Sequence, residues 1–319
     1  PRVHPALFAT PVAPRRHRFS GRRGRRWVTA VFFILPAFLV YGLLVLTPIS
    51  VAMFLSLFRW NGVGEPTDMI GLENFSRLLE SSIFWQDLLH GLILIVLSLA
   101  VQLPLSLGLA ILLNQRIAGR AIYRMLFFIP YMLSEAIIAV LFAMILSPES
   151  GLANRLLAMA GFEPWPWLSE PDTVLPTLFI VITWKYFGFH MILYLAGLQN
   201  IPRELLEAAS MDGAGPWRIF RSITLPLMGP TIRISVFLSV IGTVQLFDLV
   251  WIMTGGGPSH ASETLAVTMF DYGFKRFQIG YACAISVVMF FISLAFAIGY
   301  QRYVLRRDLE GAIASFGVS

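Results

Sequence analysis

The chain has 319 residues, of which 57% are hydrophobic and only 13% charged, with a mean hydropathy of +0.73. A soluble domain carries about 25% charged residues, so we expect an integral membrane protein. The single cysteine, Cys283, excludes an internal disulfide and a cysteine-based zinc site. The net charge of +6 does not indicate nucleic-acid binding, because eight of the arginines lie within residues 1–26, without any acid, beside an apolar run.

Six segments are apolar over a length that can cross a bilayer as a helix, which takes about 20 residues. They predict an all-α membrane protein with six transmembrane helices. The segments are 27–46 (or on to 58, past Thr47 and Pro48), 88–113, 125–146, 174–198, 232–254 and 279–304.

Lysine and arginine counts in the loops predict the orientation. The N-terminal tail, the C-terminal tail and residues 114–124 and 199–230 hold 17 of these residues, whereas residues 59–87, 147–173 and 255–278 hold five. Cytoplasmic loops carry the excess of positive charge, so both termini and residues 199–230 are predicted to be cytoplasmic. We divide the chain into a basic tail (1–26), a membrane domain (27–308) and a C-terminal tail (309–319).

Several polar side chains fall inside the predicted helices. An ionisable group at membrane depth costs about 2.5–3.5 kcal/mol and usually faces a cavity or the bundle interior; Glu135, Lys185 and His190 are examples. Side chains three or four residues apart share a helix face, and one such set could stack on sugar rings and bind hydroxyl groups. The candidates for lining a substrate path through the membrane are Tyr186, His190, Tyr194, Ser239, Thr243, Gln245 and Asp248.

A structural role for the same residues remains an alternative. Hydroxyl groups in membrane helices often bond to the preceding turn or to a neighbouring helix, for about 0.6 kcal/mol each. Lys185 could equally pair with an acid, and His190 could be a packing residue. The sequence alone leaves both interpretations open.

Motifs for catalysis or nucleotide binding are absent from the sequence. There is no His-Glu-x-x-His pattern and no nucleophile elbow, and Gly255-Gly256-Gly257 is not followed by Gly-Lys-Ser/Thr. We therefore expect neither an enzyme nor a metal site. If this membrane protein uses ATP to move a solute across the bilayer, the ATPase must be another polypeptide.

Residues 199–230 form a polar stretch between two apolar segments, punctuated by proline and glycine. The pattern predicts two short helices: Pro202 begins the first, Gly213 ends it, and Gly215-Pro216 turns the chain into the second. Ala208 and Ala209 are small, so another surface can approach the backbone closely. We call residues 199–230 the docking segment, because we expect a second protein to bind there.

The docking segment also carries a spaced motif. Glu207-Ala208-Ala209, Gly213 and Ile223-x-Leu225-Pro226 match the pattern E-A-A-x₃-G-x₉-I-x-L-P. This resembles the signature of permease subunits of binding-protein-dependent ABC importers. The flanking sequences Leu195–Gln199 with Ile201-Pro202, Thr254–Pro258 and Phe128–Pro130 are similar to the carbohydrate branch. The resemblance covers about residues 27–308 and fits members similar to the glycerol-3-phosphate, lactose and multiple-sugar permeases; the extra N-terminal helices and large insertion of the maltose member are not visible.

The resemblance implies a fold, partners and roles. The fold would be that of a type I ABC importer permease, working by alternating access in the cytoplasmic membrane of a bacterium or archaeon. The partners would be a second homologous permease, a cytoplasmic ATPase dimer that holds ATP and Mg²⁺, and an extracytoplasmic binding protein that delivers a sugar; this chain would bind no cofactor. The residues implied in ATPase coupling are Glu207, Ala208, Ala209, Gly213, Ile223, Leu225 and Pro226.

Two other functions remain as alternatives. Within ABC importers, an amino-acid or peptide permease would share the docking motif but not the flanking sequences. A stand-alone secondary transporter or channel would require coupling-ion sites and inverted repeats, and we see no clear repeat between the two halves.

Overall fold

The computed structural model describes the backbone of residues 20–115 and 117–305, and side chains from residue 31 onward within those ranges. Most of the predicted basic tail and all of the predicted C-terminal tail lie outside the described residues. Within them the regular secondary structure is helical, apart from an isolated β-bridge between Phe58 and Met69.

Sixteen α-helices are present in the described part of the chain. Their bounds are α1 Ser20–Tyr41, α2 Thr47–Leu55, α3 Glu73–Glu80, α4 Ser82–Leu97, α5 Leu103–Asn114, α6 Arg120–Met132, α7 Glu135–Ile145, α8 Leu152–Met159, α9 Pro171–Gln199, α10 Arg203–Met211, α11 Pro216–Ile219, α12 Leu225–Leu227, α13 Gly229–Val244, α14 Asp248–Thr254, α15 Leu265–Phe270 and α16 Ile279–Tyr300. Five-residue π-helical segments occupy Gly42–Leu46, Ser98–Gln102, Phe220–Thr224, Asp271–Lys275 and Gln301–Leu305.

The described part of the chain divides into two units, with the boundary between Val51 and Ala52. In the first unit, α1 is followed by the π-helical segment Gly42–Leu46, where the Thr47 N–H donates to Gly42 O. Pro48 comes next and has no N–H to donate to the preceding turn, so a wider turn at this point accommodates the missing bond. Helix α2 crosses the boundary, and the second unit contains α3 to α16.

The predicted six spans are present as four continuous helices and two bent pairs. The continuous spans are Val31–Leu55, Ser82–Asn114, Pro171–Gln199 and Ile279–Leu305, each 25 residues or longer. The bent pairs are Arg120–Met132 with Glu135–Ile145 and Pro216–Leu227 with Gly229–Val244. Counting each pair as one span gives six, as predicted, and the first span does continue past Pro48.

The third predicted span, residues 125–146, is not one straight helix. It bends by 94° between α6 and α7. Ser134 begins α7 by accepting a hydrogen bond from the Ile137 N–H at 3.3 Å, and Lys185 Nζ donates to Leu133 O at 2.8 Å. The break is therefore stable in an apolar setting because side chains supply partners for backbone groups that lack helical ones.

The fifth predicted span, residues 232–254, is wrong as a continuous helix. The helix begins earlier, at Gly229, after a 65° bend, and α13 ends at Val244. The next residues are not helical, and Thr264 Oγ1 from a distant loop donates to Leu246 O at 2.9 Å. A short second helix, α14, then packs against α7.

Helix α9 is the central element of the second unit. It packs against α5 and α6, and its side chains contribute to two apolar clusters, one with α7 and α14 and one with α5. Gly188 permits the close approach of α6, because a Cβ atom there would lie 1.9 Å from Phe127 O. A polar cavity and the docking segment are both positioned by this helix.

Candidate functional site

The first half of the docking segment is the helix α10. Pro202 precedes it with φ of −58°, and Glu204 lies in its first turn, where the helix dipole favours a negative charge. The helix contacts the apolar core through half-buried Leu206. The two predicted helices of this segment are thus present, with Pro202 immediately before the first.

Gly213 ends α10 in a Schellman motif. Its N–H donates to Ser210 O at 3.1 Å, and the Ala214 N–H donates to Ala209 O at 3.0 Å. Gly213 has φ of +79°, a left-handed conformation that glycine adopts without strain. No atom lies within 4 Å of a Cβ built there, so only the backbone conformation requires glycine at this position.

The motif residues of α10 face outward. Glu207 and Ala208 are exposed, and Ala209 is half-buried. Beside them lie two exposed apolar side chains, Leu205 and Met211, the latter 83% accessible. The surface therefore combines an acid, small residues and uncovered apolar area.

The second half of the docking segment returns the chain to the bundle. The π-helical segment Phe220–Thr224 ends where the Leu225 N–H donates to Phe220 O; the next residue, Pro226, has no N–H to continue a regular helix. Ile223 is half-buried, whereas Leu225 and Pro226 are exposed. Met228, just before α13, is buried in the same apolar cluster as the end of α9.

A cavity of about 220 Å³ lies between α4, α9 and α13, with α6 at one side. Four of the seven residues predicted for a substrate path line it: Tyr186, His190, Ser239 and Thr243. The other lining residues are Leu94, Ser98, Gln102, Tyr131, Phe179, Ile182, Phe189, Leu238, Gly242 and Leu246.

The other three predicted path residues lie elsewhere. Tyr194 is 1% exposed and packs in the apolar cluster of α5 and α9. Gln245 and Asp248 are exposed and flank the interruption between α13 and α14. Their three-residue spacing does not place them on one helix face, because the helix does not continue between them.

Hydrogen bonds connect the polar residues of the cavity. Ser98 Oγ lies 2.8 Å from Ser239 Oγ and donates to Gln102 Oε1. His190 Nδ1 lies 2.7 Å from Ser235 Oγ. Two separate hydrogen-bonded groups therefore order the polar side chains of the wall: Ser98 with Gln102 and Ser239, and His190 with Ser235, which does not itself line the cavity.

The second span also contributes polar side chains to the cavity, although they are not among the predicted path residues. Ser98, Gln102 and Ser106 recur every four residues, the same signal that was recognised in the fifth span. Ser98 and Gln102 lie in a π-helical segment, just before Pro104. The Leu103 N–H donates to Ser98 O there, which widens the helix and turns these side chains to the cavity.

Two residues beside the cavity, Lys185 and Tyr186, donate hydrogen bonds to groups at the break between α6 and α7. Besides the contact of Lys185 with the Leu133 carbonyl, the Tyr186 hydroxyl donates to Glu135 Oε1 in the first turn of α7. Lys185 therefore has a structural contact at the break, but with a backbone carbonyl group rather than with the acid that the sequence left open as its partner. Tyr186 takes part in both features, since its side chain also lines the cavity.

Comparisons with known proteins agree with this architecture. Residues 102–307 match the family described as binding-protein-dependent transport system inner membrane component. The chain is 36% identical over 293 residues to the probable ABC transporter permease protein y4oQ of Sinorhizobium fredii, covering 91% of this chain and 93% of that one. It is 32% identical over 293 residues to the sulfoquinovosyl glycerol transport system permease protein SmoG of Agrobacterium fabrum, covering 90% and 95%.

A solved structure has the same fold. It is a chain in the crystal structure of a bacterial ABC transporter involved in the import of the acidic polysaccharide alginate, with a TM-score of 0.77 and 23% identity. The match covers 91% of this chain and 99% of that chain. No comparison supports a stand-alone transporter or channel. The chain belongs to the inner membrane components of binding-protein-dependent transport systems, as a multi-pass permease subunit of an ABC transporter.

Proposed function

We propose that this chain forms half of the translocation path of a sugar importer in the cytoplasmic membrane of a bacterium or archaeon. It binds a cytoplasmic ATPase through the docking segment and pairs with a second, homologous permease. An extracytoplasmic binding protein delivers the sugar, and the chain itself neither hydrolyses ATP nor binds a cofactor.

The geometry of α10 carries this proposal. The outward-facing side of this nine-residue helix carries an acid and alanines, and Leu205 and Met211 add exposed apolar area. Exposed apolar area of this kind is typical of a surface that binds a partner. Small side chains allow close backbone approach by a groove, and Glu207 can accept hydrogen bonds from it. This surface lies on the side that the loop charges predict to be cytoplasmic, where an ATPase finds its nucleotide.

The short connection to the bundle suggests how docking would move the membrane helices. Leu206 of α10, the end of α9 and Met228 before α13 share one apolar cluster. A displacement of α10 is therefore transmitted to α9 and α13, the two helices that supply all four predicted residues of the cavity wall. ATP-driven closure of the ATPase subunits would thus change the width of the path.

The cavity supports a hydroxylated cargo. Its wall joins aromatic rings with hydroxyl, amide and imidazole groups, and none of the lining residues is Asp, Glu, Lys or Arg. Its 220 Å³ is below the roughly 300–1,000 Å³ of a complete small-molecule pocket, as expected if a second permease supplies the opposite wall. The relative SmoG is named for sulfoquinovosyl glycerol transport, which favours a sugar-containing solute.

Reconstitution tests this function. The chain is co-expressed with a candidate second permease, an ATPase and a binding protein, and the complex is placed in liposomes. We expect uptake of a labelled sugar from a panel that requires both internal ATP and the binding protein. Uptake of the same sugar by this chain alone, without ATP, would contradict the proposal and restore the stand-alone transporter.

A further inference from the structure

A chain of hydrogen-bonded side chains lies away from both the cavity and the docking segment, where α4 and α15 meet the outer loop (residues 255–264). Asp87 on α4 is only 2% exposed. Thr268 Oγ1 on α15 lies 2.5 Å from Asp87 Oδ2 and 2.9 Å from Glu263 Oε1. Glu263 Oε2 contacts His260 Nδ1, and the side chain of His260 is 43% exposed. These hydrogen bonds therefore connect a buried carboxyl group to solvent.

The number of available protons constrains this arrangement. A threonine hydroxyl group has one proton and can donate to only one acceptor. Thr268 Oγ1 nevertheless lies within hydrogen-bond distance of one oxygen from each of two carboxyl groups. The contact that Thr268 does not donate must be donated by a protonated carboxyl group.

The contacts of the two acids indicate which one holds the proton. Glu263 has a partner for each oxygen, since His260 Nδ1 contacts one and Thr268 the other. Asp87 Oδ1 has no hydrogen-bond partner among the described residues. A buried oxygen without a donor is far more costly on a carboxylate than as the carbonyl of a neutral acid. These contacts favour Glu263 as the acceptor and Asp87 as the donor to Thr268.

We propose that Asp87 is a proton-binding residue that is neutral when the outer loop is closed, and that its proton holds this loop against α4 through Thr268 and Glu263. When the proton is lost, two anionic groups face a single hydroxyl group. One of the two contacts is then repulsive, and the outer loop loses an attachment to α4.

Loss of this attachment would affect the outer loop because part of its backbone is strained. Ser259 and His260 have φ values of 47° and 65°, which non-glycine residues adopt only when surrounding contacts impose them. His90 on α4 adds a second attachment, with Nδ1 3.0 Å from Glu263 O. The outer loop is thus held in a strained conformation by these contacts with α4, together with the bonds of Ser262 Oγ to Gly257 O and of Thr264 Oγ1 to Leu246 O.

Few other charges act on this cluster. Further titratable and charged groups facing it are His90, the Tyr281 phenol of α16, and Arg77 of α3, which lies 4.3 Å from the Tyr281 ring centroid. A neutral acid in the closed state means that closure is favoured at low pH and lost as pH rises. His260 connects the site to solvent on the side that the loop charges predict to be external, so external pH would be sensed.

Infrared spectroscopy of the full chain in lipid nanodiscs tests where the proton lies. We expect a carbonyl band of a buried protonated carboxyl group at neutral pH in the wild type. Asp87→Asn should remove the band, whereas Glu263→Gln and the exposed-acid control Glu80→Gln should retain it. The assignment to Asp87 would be overturned if the band survives in Asp87→Asn. It would also be overturned if the band disappears in Glu263→Gln but not in Asp87→Asn.

Amide hydrogen exchange tests the effect on the outer loop. After correction for the intrinsic pH dependence, exchange of residues 255–264 in the wild type should accelerate about tenfold between about pH 6 and 9, the scale of losing one buried hydrogen bond. Asp87→Asn cannot lose the proton, so its protection should not change with pH. Equal pH profiles for both proteins would refute the proposed control of the loop. Neither measurement depends on the cargo or on the ATPase, so either can fail while the importer function stands.

Discussion

The cap of α10 provides the sharpest mutational test of the docking segment. Gly213 has φ of +79°, and no atom lies within 4 Å of a Cβ built on it. Replacement by alanine therefore adds no clash, and its whole cost is the left-handed backbone, about 1–2 kcal/mol for a residue with a Cβ atom. Asparagine tolerates this conformation better and should cost less. The expected order of function is Gly, then Asn, then Ala, then Val.

The magnitude follows from the length of α10. An isolated nine-residue helix is only marginally stable in water, so a change of about 1–2 kcal/mol lowers the ratio of capped to uncapped helix roughly five- to thirtyfold. ATP-driven uptake by the reconstituted complex should fall accordingly in Gly213→Ala. The thermal stability of the membrane bundle should not change, since Gly213 is exposed.

Gly161 offers a matched control for this experiment. It has φ of +83° and also has no atom within 4 Å of its Cβ position, but it lies in the connection between α8 and α9. Gly161→Ala carries the same backbone strain and should leave ATP-driven uptake near the wild-type rate. The reasoning is refuted if Gly213→Ala transports as well as the wild type, or if both alanine variants lose uptake equally.

Three further predictions concern packing, cargo and the segment between α7 and α9. Gly188→Ala should lower the thermal unfolding temperature, because its Cβ would lie 1.9 Å from a backbone oxygen of α6, whereas Gly108→Ala in open space should not. Ser239→Ala removes a hydroxyl group from the cavity wall; because a hydrogen bond from it to the cargo is worth about 0.5–1.5 kcal/mol, the KM for uptake should rise roughly two- to tenfold, whereas Ser286→Ala should not raise it, and an unchanged KM would assign Ser239 to packing. Asn154→Ala removes four hydrogen bonds to residues 148–167 and should speed limited proteolysis there; wild-type cleavage would contradict this.

Much of the architecture was predictable because it depends on apolar length and local signals. Long apolar runs gave the four continuous spans, and the spacing of proline and glycine gave the two parts of the docking segment. Gly213 illustrates this: a glycine after a polar helix is a local signal for a left-handed cap, and the structure has that cap.

Two interruptions of predicted spans, before α7 and after α13, differ in how far they could have been foreseen. The break before α7 has a local signal that was overlooked, since Ser134-Glu135 is a helix start inside an apolar run. The break after α13 has no glycine or proline. The buried Leu246 carbonyl there accepts a hydrogen bond from Thr264 Oγ1, 18 residues away in sequence, and only the tertiary structure brings these groups together.

The cavity was predicted only in part for a related reason. Helical spacing correctly grouped Tyr186 with His190, because α9 is continuous through both. It failed for Gln245 and Asp248, because the helix stops between them. The wall supplied by Ser98 and Gln102 depends on a π-helical turn that regular spacing does not describe.

Charge reversal on α10 tests the central claim most directly. Glu207 and Glu204 are both exposed on the same short helix, but only Glu207 belongs to the motif. In the purified complex, Glu207→Lys should release the ATPase and abolish ATP-driven uptake, whereas Glu204→Lys, with the same change of charge, should retain both. If Glu207→Lys keeps the ATPase bound and transports normally, α10 is not the docking element and the proposed coupling is wrong.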